Sequence, residues 1–79
     1  MNKKLAELLA EVFGLRATEI KPDLTQVDVG TWDSLKQMDL VMSLEREYDI
    51  ALEIPDIVRM TSVADIVAVL AEKGVNLEA

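Results

Sequence analysis

The residues of this chain with most chemical potential form one short run, Asp33-Ser34-Leu35, where a serine hydroxyl meets the start of an amphipathic helical pattern. The chain has no cysteine and no histidine. That removes thiolate nucleophiles, thiolate zinc sites, disulfides and the commonest general base and metal ligand. No remaining pair of side chains reads as a nucleophile with its base, so the sequence offers an enzyme nothing to work with and none is expected. The Ser34 hydroxyl has two readings. Serine is a favoured N-cap, and Ser34 with Gln37 fits the S-x-x-Q capping box that starts a helix. The first-turn N–H groups and the positive end of the helix dipole also favour an anionic group there, so a phosphate ester on Ser34 would meet a compatible field. Spacing alone leaves both open.

Metal chemistry has less support. Asp23, Asp28 and Asp33 recur every five residues, which does not fit an EF-hand loop, and no metal is expected. Fifteen acidic residues against eight basic ones give a net charge of −7. That charge opposes nucleic-acid binding and attraction to anionic lipid, and it makes basic protein surfaces the natural complement. No apolar run reaches transmembrane length, and Met1-Asn2-Lys3-Lys4 leads into Glu-bearing helical sequence with no signal-peptide core. The expectation is a cytoplasmic protein without membrane insertion.

The elements that must position Ser34 are helices. The 79 residues read as one domain over 1–79, too small to enclose a deep active site. Leu5, Leu8, Leu9, Val12 and Phe13 recur at helical spacing, with Gly14 as the stop. From Leu15 to Asp33 no period is sustained, and Pro22 and Gly30 interrupt. Scattered apolar residues (Leu15, Ile20, Leu24, Val27 and Val29) predict that this long loop is ordered and packed down on the helices. A second helix is predicted from about Ser34 to Tyr48 and a short third near Pro55 to Met60, with Pro at its first position and Asp56 at its positive end. Ser62-Val63-Ala64-Asp65 matches a capping box opening a fourth helix that continues to Gly74, followed by a polar tail from Asn76 to Ala79. The predicted fold is all-α: a small bundle of three longer helices and one short one.

The second helix carries two apolar stripes. Leu40, Val41, Leu44 and Tyr48 suffice to face a core. Leu35, Met38 and Met42 form another, which at ~100° per residue centres roughly 140° round the helix. One reading makes the trio an exposed docking patch, its methionines adaptable to more than one surface and Asp39, Glu45 and Arg46 at its border. The other turns one or two of these side chains into the loop or the short third helix, or leaves them singly exposed as apolar residues often are.

Asp33-Ser34-Leu35 followed by Asp39-Leu40-Val41-Met42-Ser43-Leu44-Glu45-Arg46-Glu47-Tyr48 resembles the recognition helix of acyl carrier proteins. The resemblance spans nearly the whole chain, including the long first loop, the Tyr48-Asp49-Ile50 exit and the Thr61-Ser62-Val63 start of the last helix. It implies that 4′-phosphopantetheine from coenzyme A is esterified to Ser34, that the arm carries acyl groups as thioesters, and that Asp33 is read by the phosphopantetheinyl transferase. It further implies docking through Leu35, Met38, Asp39, Met42 and Glu45 onto acyl-transferring, condensing and other biosynthetic enzymes with basic docking surfaces, by a monomer. Fatty-acid, polyketide and other specialised acyl synthesis are all served by such carriers.

Three positions depart from the familiar fatty-acid carrier pattern: Lys36 where an acid is usual, Arg46 within the acidic stretch, and Trp32 where a small residue is common. Lys36 can pair with Asp39, Trp32 is expected to anchor the loop, and together they point to a carrier dedicated to a specialised pathway. Leu40, Val41, Leu44, Ile57 and Val67 are core residues first, although the family often shelters acyl chains among such side chains. Two alternatives remain: a peptidyl or aminoacyl carrier, and an unmodified helical adaptor that binds protein through the Leu35/Met38/Met42 patch.

Overall fold

The computed structural model describes residues 1–77; Glu78 and Ala79, the end of the expected polar tail, lie outside them. Four helices follow in order: α1 (Lys3–Phe13), α2 (Ser34–Tyr48), α3 (Ile54–Arg59) and α4 (Val63–Glu72), with one 3-10 turn at Ala17–Glu19 in the first loop. No strand occurs among the described residues, and Thr25 and Ser62 meet in an isolated bridge. The expected bundle of three longer helices and one short helix is what forms.

Each helix end has a local cause. Asn2 Oδ1 accepts from the Leu5 N–H at 3.0 Å to open α1, and Gly14 closes it at φ 69°, a left-handed conformation that glycine adopts without penalty. Asp49 ends α2 in the same region, at φ 52°, which short polar residues tolerate better than most. Ser62 opens α4 by accepting from the Asp65 N–H at 3.0 Å. The reciprocal arm of that expected box differs: the Asp65 carboxylate takes the Thr61 N–H and hydroxyl, at 3.3 and 2.9 Å.

The core gathers both the helices and the loop. Leu5 and Leu9 of α1, Leu40 and Leu44 of α2, Met60, and Val63, Ile66, Val69 and Leu70 of α4 are fully buried. The long first loop is ordered, as expected, and Ile20, Val29 and Trp32 are buried in the same cluster with Leu15 and Leu24 partly so. Val27 contradicts the expectation, being 92% exposed. The reason is local: Asp28 accepts from both the backbone and hydroxyl of Thr25, at 3.1 and 3.0 Å, and the turn so formed carries Val27 outward. Farther back, the Leu24 and Pro22 carbonyls accept from Val63 and Ala64, supplying partners to two N–H groups that the first turn of α4 leaves open.

Short α3 buries none of its own residues and is held by polar contacts. Arg59 makes a bidentate pair with Glu72 at 2.8 and 2.7 Å, and Lys73 meets Asp56 at 2.9 Å, so both clamps join α3 to α4 or its end. From the other side the Gln37 amide donates to the Ile57 and Met60 carbonyls at 2.8 and 3.2 Å.

Candidate functional site

The start of α2 is built from the loop inward. Trp32 is buried, its ring 4.4 Å from that of Phe13 at 32°, and its indole N–H donates to Gln37 Oε1 at 2.6 Å. Its carbonyl accepts from the Gln26 amide at 3.2 Å, while the Thr31 hydroxyl donates to the Phe13 carbonyl at 3.2 Å. Trp32 thus anchors the loop, as the sequence suggested, and it fixes where the next residue can start a helix.

That residue is Asp33, and here the capping expectation for Ser34 fails. Asp33 has an extended backbone and its Oδ1 accepts from the Lys36 N–H at 2.9 Å, so Asp33 is the N-cap and Ser34 is the first helical residue. A carboxylate makes a stronger, charge-assisted cap than a hydroxyl at the positive end of a helix. Gln37, the other half of the expected box, is engaged by Trp32 and the end of α3. The consequence is chemical. Ser34 is exposed, and no hydrogen bond to its hydroxyl occurs among the described residues.

An open groove lined by Gly30, Thr31, Asp33, Leu35, Lys36 and Asp39 runs past the start of α2, and Ser34 is not among the residues that line it. Lys36 reaches Asp39 at 3.8 Å, the i,i+3 pair that the spacing allowed.

The second apolar stripe of α2 faces outward. Leu35 is 83%, Met38 50% and Met42 60% exposed, while Leu40, Val41 and Leu44 are buried, so the trio is not packed into the loop or α3. Asp39 is also exposed on that face. Glu45 stands apart: it is half-buried and its Oε2 accepts from the Leu52 N–H at 2.8 Å, tying down the chain that leaves α2. Two exposed apolar residues that sequence reasoning missed, Ile54 and Val58, lie on α3 at 75% and 70% exposure. Their i,i+4 spacing about half-buried Ile57 was the available signal.

Three carboxylates around α3 and α4, two of them in ion pairs, titrate low. Asp56 is held below the ordinary carboxylate range chiefly by its hydrogen bond from Lys73, Glu72 by that from Arg59, and Asp65 by that from Thr61. At the far end of α2 the Tyr48 hydroxyl is buried without a hydrogen-bond partner among the described residues, and burial, then the Glu47 charge, push its pKa up. No described helix is long and apolar enough to cross a membrane, and no cluster of three potential metal-ligating side chains occurs among the described residues.

A family model described as "Phosphopantetheine attachment site" matches residues 3–70. The chain is 35% identical over 65 residues to an acyl carrier protein of Clostridium acetobutylicum, covering 82% of this chain and 84% of that one. It is 27% identical over 73 residues to one from Nitratidesulfovibrio vulgaris, covering 92% and 96%. The solution structure of the holo acyl carrier protein from Geobacter metallireducens superposes with a TM-score of 0.79 at 25% identity, over 92% of this chain and 86% of that one. An ordered helical bundle and a match to the attachment-site model across most of its length agree: this chain belongs to the acyl carrier protein family, whose members are carriers of a phosphopantetheine prosthetic group and not enzymes.

Proposed function

We propose that Ser34 is the residue esterified by 4′-phosphopantetheine and that the chain, acting as one domain in the cytoplasm, presents acyl intermediates to partner enzymes of fatty-acid, polyketide or other specialised synthesis. The observation that carries this is the division of labour at the start of α2: Asp33 caps the helix, which leaves the exposed Ser34 hydroxyl free for an ester. The residues fit such a group. A phosphodiester on Ser34 would sit in the first turn of α2, where the dipole and open N–H groups favour negative charge, and the exposure of Ser34 gives it room. When bound, the group supplies a thiol at the end of a flexible arm, which this chain lacks for want of cysteine.

The protein's own residues would hold and present. Trp32 and Gln37 brace the loop and the first turn, so the backbone that carries Ser34 is held in place for the transferase. Asp33, its second carboxylate oxygen outside the capping bond, is the acid beside the hydroxyl that the transferase would read. Leu35, Met38 and Met42 offer a small apolar centre, with Asp39 beside it. Such a face favours brief complexes: charged rims raise encounter rates, and a small centre releases quickly.

Incubation with coenzyme A and a phosphopantetheinyl transferase, read by intact mass, tests the assignment. The wild type should gain one phosphopantetheine and Ser34→Ala none. Addition to the Ser34→Ala chain would move the site elsewhere.

A further inference from the structure

The charges of α2 are mostly spent inside the molecule. Lys36 pairs with Asp39 at 3.8 Å, Glu45 accepts from the Leu52 N–H at 2.8 Å, and Glu47 pairs with Lys4 at 3.3 Å. Arg46 is exposed and makes no ion pair within 4.0 Å among the described residues. It stands four residues beyond Met42 and seven beyond Asp39, which places it on the same outward face as the apolar stripe, at the stripe's end. Twelve residues of helix separate it from Ser34, about 18 Å at 1.5 Å per residue.

From this placement, and resting on the carrier reading of Ser34, we infer that Arg46 selects the partner: this chain docks on an enzyme face with an apolar centre and a carboxylate opposite Arg46, about 18 Å from the mouth that receives the arm. A face that is basic throughout meets this cation as a like charge. In a chain of net charge −7, long-range attraction still draws basic surfaces near, so Arg46 slows productive encounter with such a face without abolishing it. Arg46 is a specificity residue, outside the attachment chemistry.

The probe is a phosphopantetheinyl transferase whose carrier-docking face carries Lys and Arg, assayed by intact mass with coenzyme A against wild type and Arg46→Glu. Arg46→Glu should raise kcat/KM roughly three- to tenfold with kcat unchanged, a rim-charge effect that fades at high salt. Single Lys→Glu or Arg→Glu reversals across the transferase face should include one that inverts the order, so that wild type becomes the better substrate. Circular dichroism of the exposed-site variant controls for folding. Equal rates at low salt, or no reversal that inverts the order, overturns the inference while leaving the carrier reading intact. Failure of both chains to accept the arm overturns the carrier reading and the inference with it.

Discussion

At the start of α2 the cap falls to Asp33 and not to its neighbour Ser34. Because Asp33 accepts from the Lys36 N–H, Asp33→Ala should lower unfolding stability by about 1 kcal/mol, the usual loss for a removed N-cap. Ser34→Ala should fall within about 0.5 kcal/mol of wild type, as surface substitutions without a structural partner do. Urea titration of the two variants reads this directly, and a larger loss for Ser34→Ala would return the cap to the serine. A helix start at Asp-Ser-Leu was legible, but the residue that caps it was not. Which of two neighbouring caps is used depends on where the helix begins, and Trp32 and Gln37 set that through contacts with Phe13 and α3. Tyr48 offers the opposite case. Its hydroxyl is buried without a partner among the described residues, so Tyr48→Phe should stabilise the fold by about 1 kcal/mol, seen as a raised urea midpoint.

Among the elements, α1, α2 and α4 were legible because each carries a periodic apolar face and a chemical stop or start: Gly14, the Asp33-Ser34 head, and Ser62. Helix α3 was legible only through Pro55 and Asp56, since a six-residue helix shows too little period, and its fastening came from residues remote in sequence. Gln37, Glu72 and Lys73 hold it. The fastening makes α3 sensitive to acid. Asp56 and Glu72 are depressed below their ordinary values, so their stabilising effect is full above the unfolded carboxylate range of about 4 and is lost as pH falls through the lower native values. Amide resonances of α3 should therefore shift and lose exchange protection in acid before those of α1. The Lys73 ammonium is raised by the same Asp56 bond, so its share persists below about pH 10.4 and is lost as pH climbs through the native value. Simultaneous melting of all four helices in acid would show that the clamps do not set the weak point.

For the molecule as a whole, one core of small extent supports everything else. Leu9 and Leu44 are wholly buried, and truncation of either to Ala should cost about 2–5 kcal/mol. That compares with a total on the order of 4–12 kcal/mol for a chain of this size, so either variant should be near unfolding at room temperature, as a urea or thermal scan would show. The net charge of −7 adds self-repulsion that salt screens. The melting temperature of the wild type should rise between about 10 and 150 mM sodium chloride, and a flat or falling response would mean that the ion pairs matter more than the overall charge. The class of fold and the class of function were both open to reading because one serine, one outward apolar stripe and missing catalytic groups are sequence properties. Val27 and Glu45 were not, since a turn and a remote backbone N–H decide where those side chains point.

The chain contains a single tryptophan, and the structure seats its indole between the Phe13 ring and the Gln37 amide, one residue before the Asp33 cap. Nature has in effect installed a fluorescent gauge at the head of α2. Emission from Trp32 reports on the brace that reaches across to the Ile57 and Met60 carbonyls, so loosening of the short helix can be followed by light, without a label.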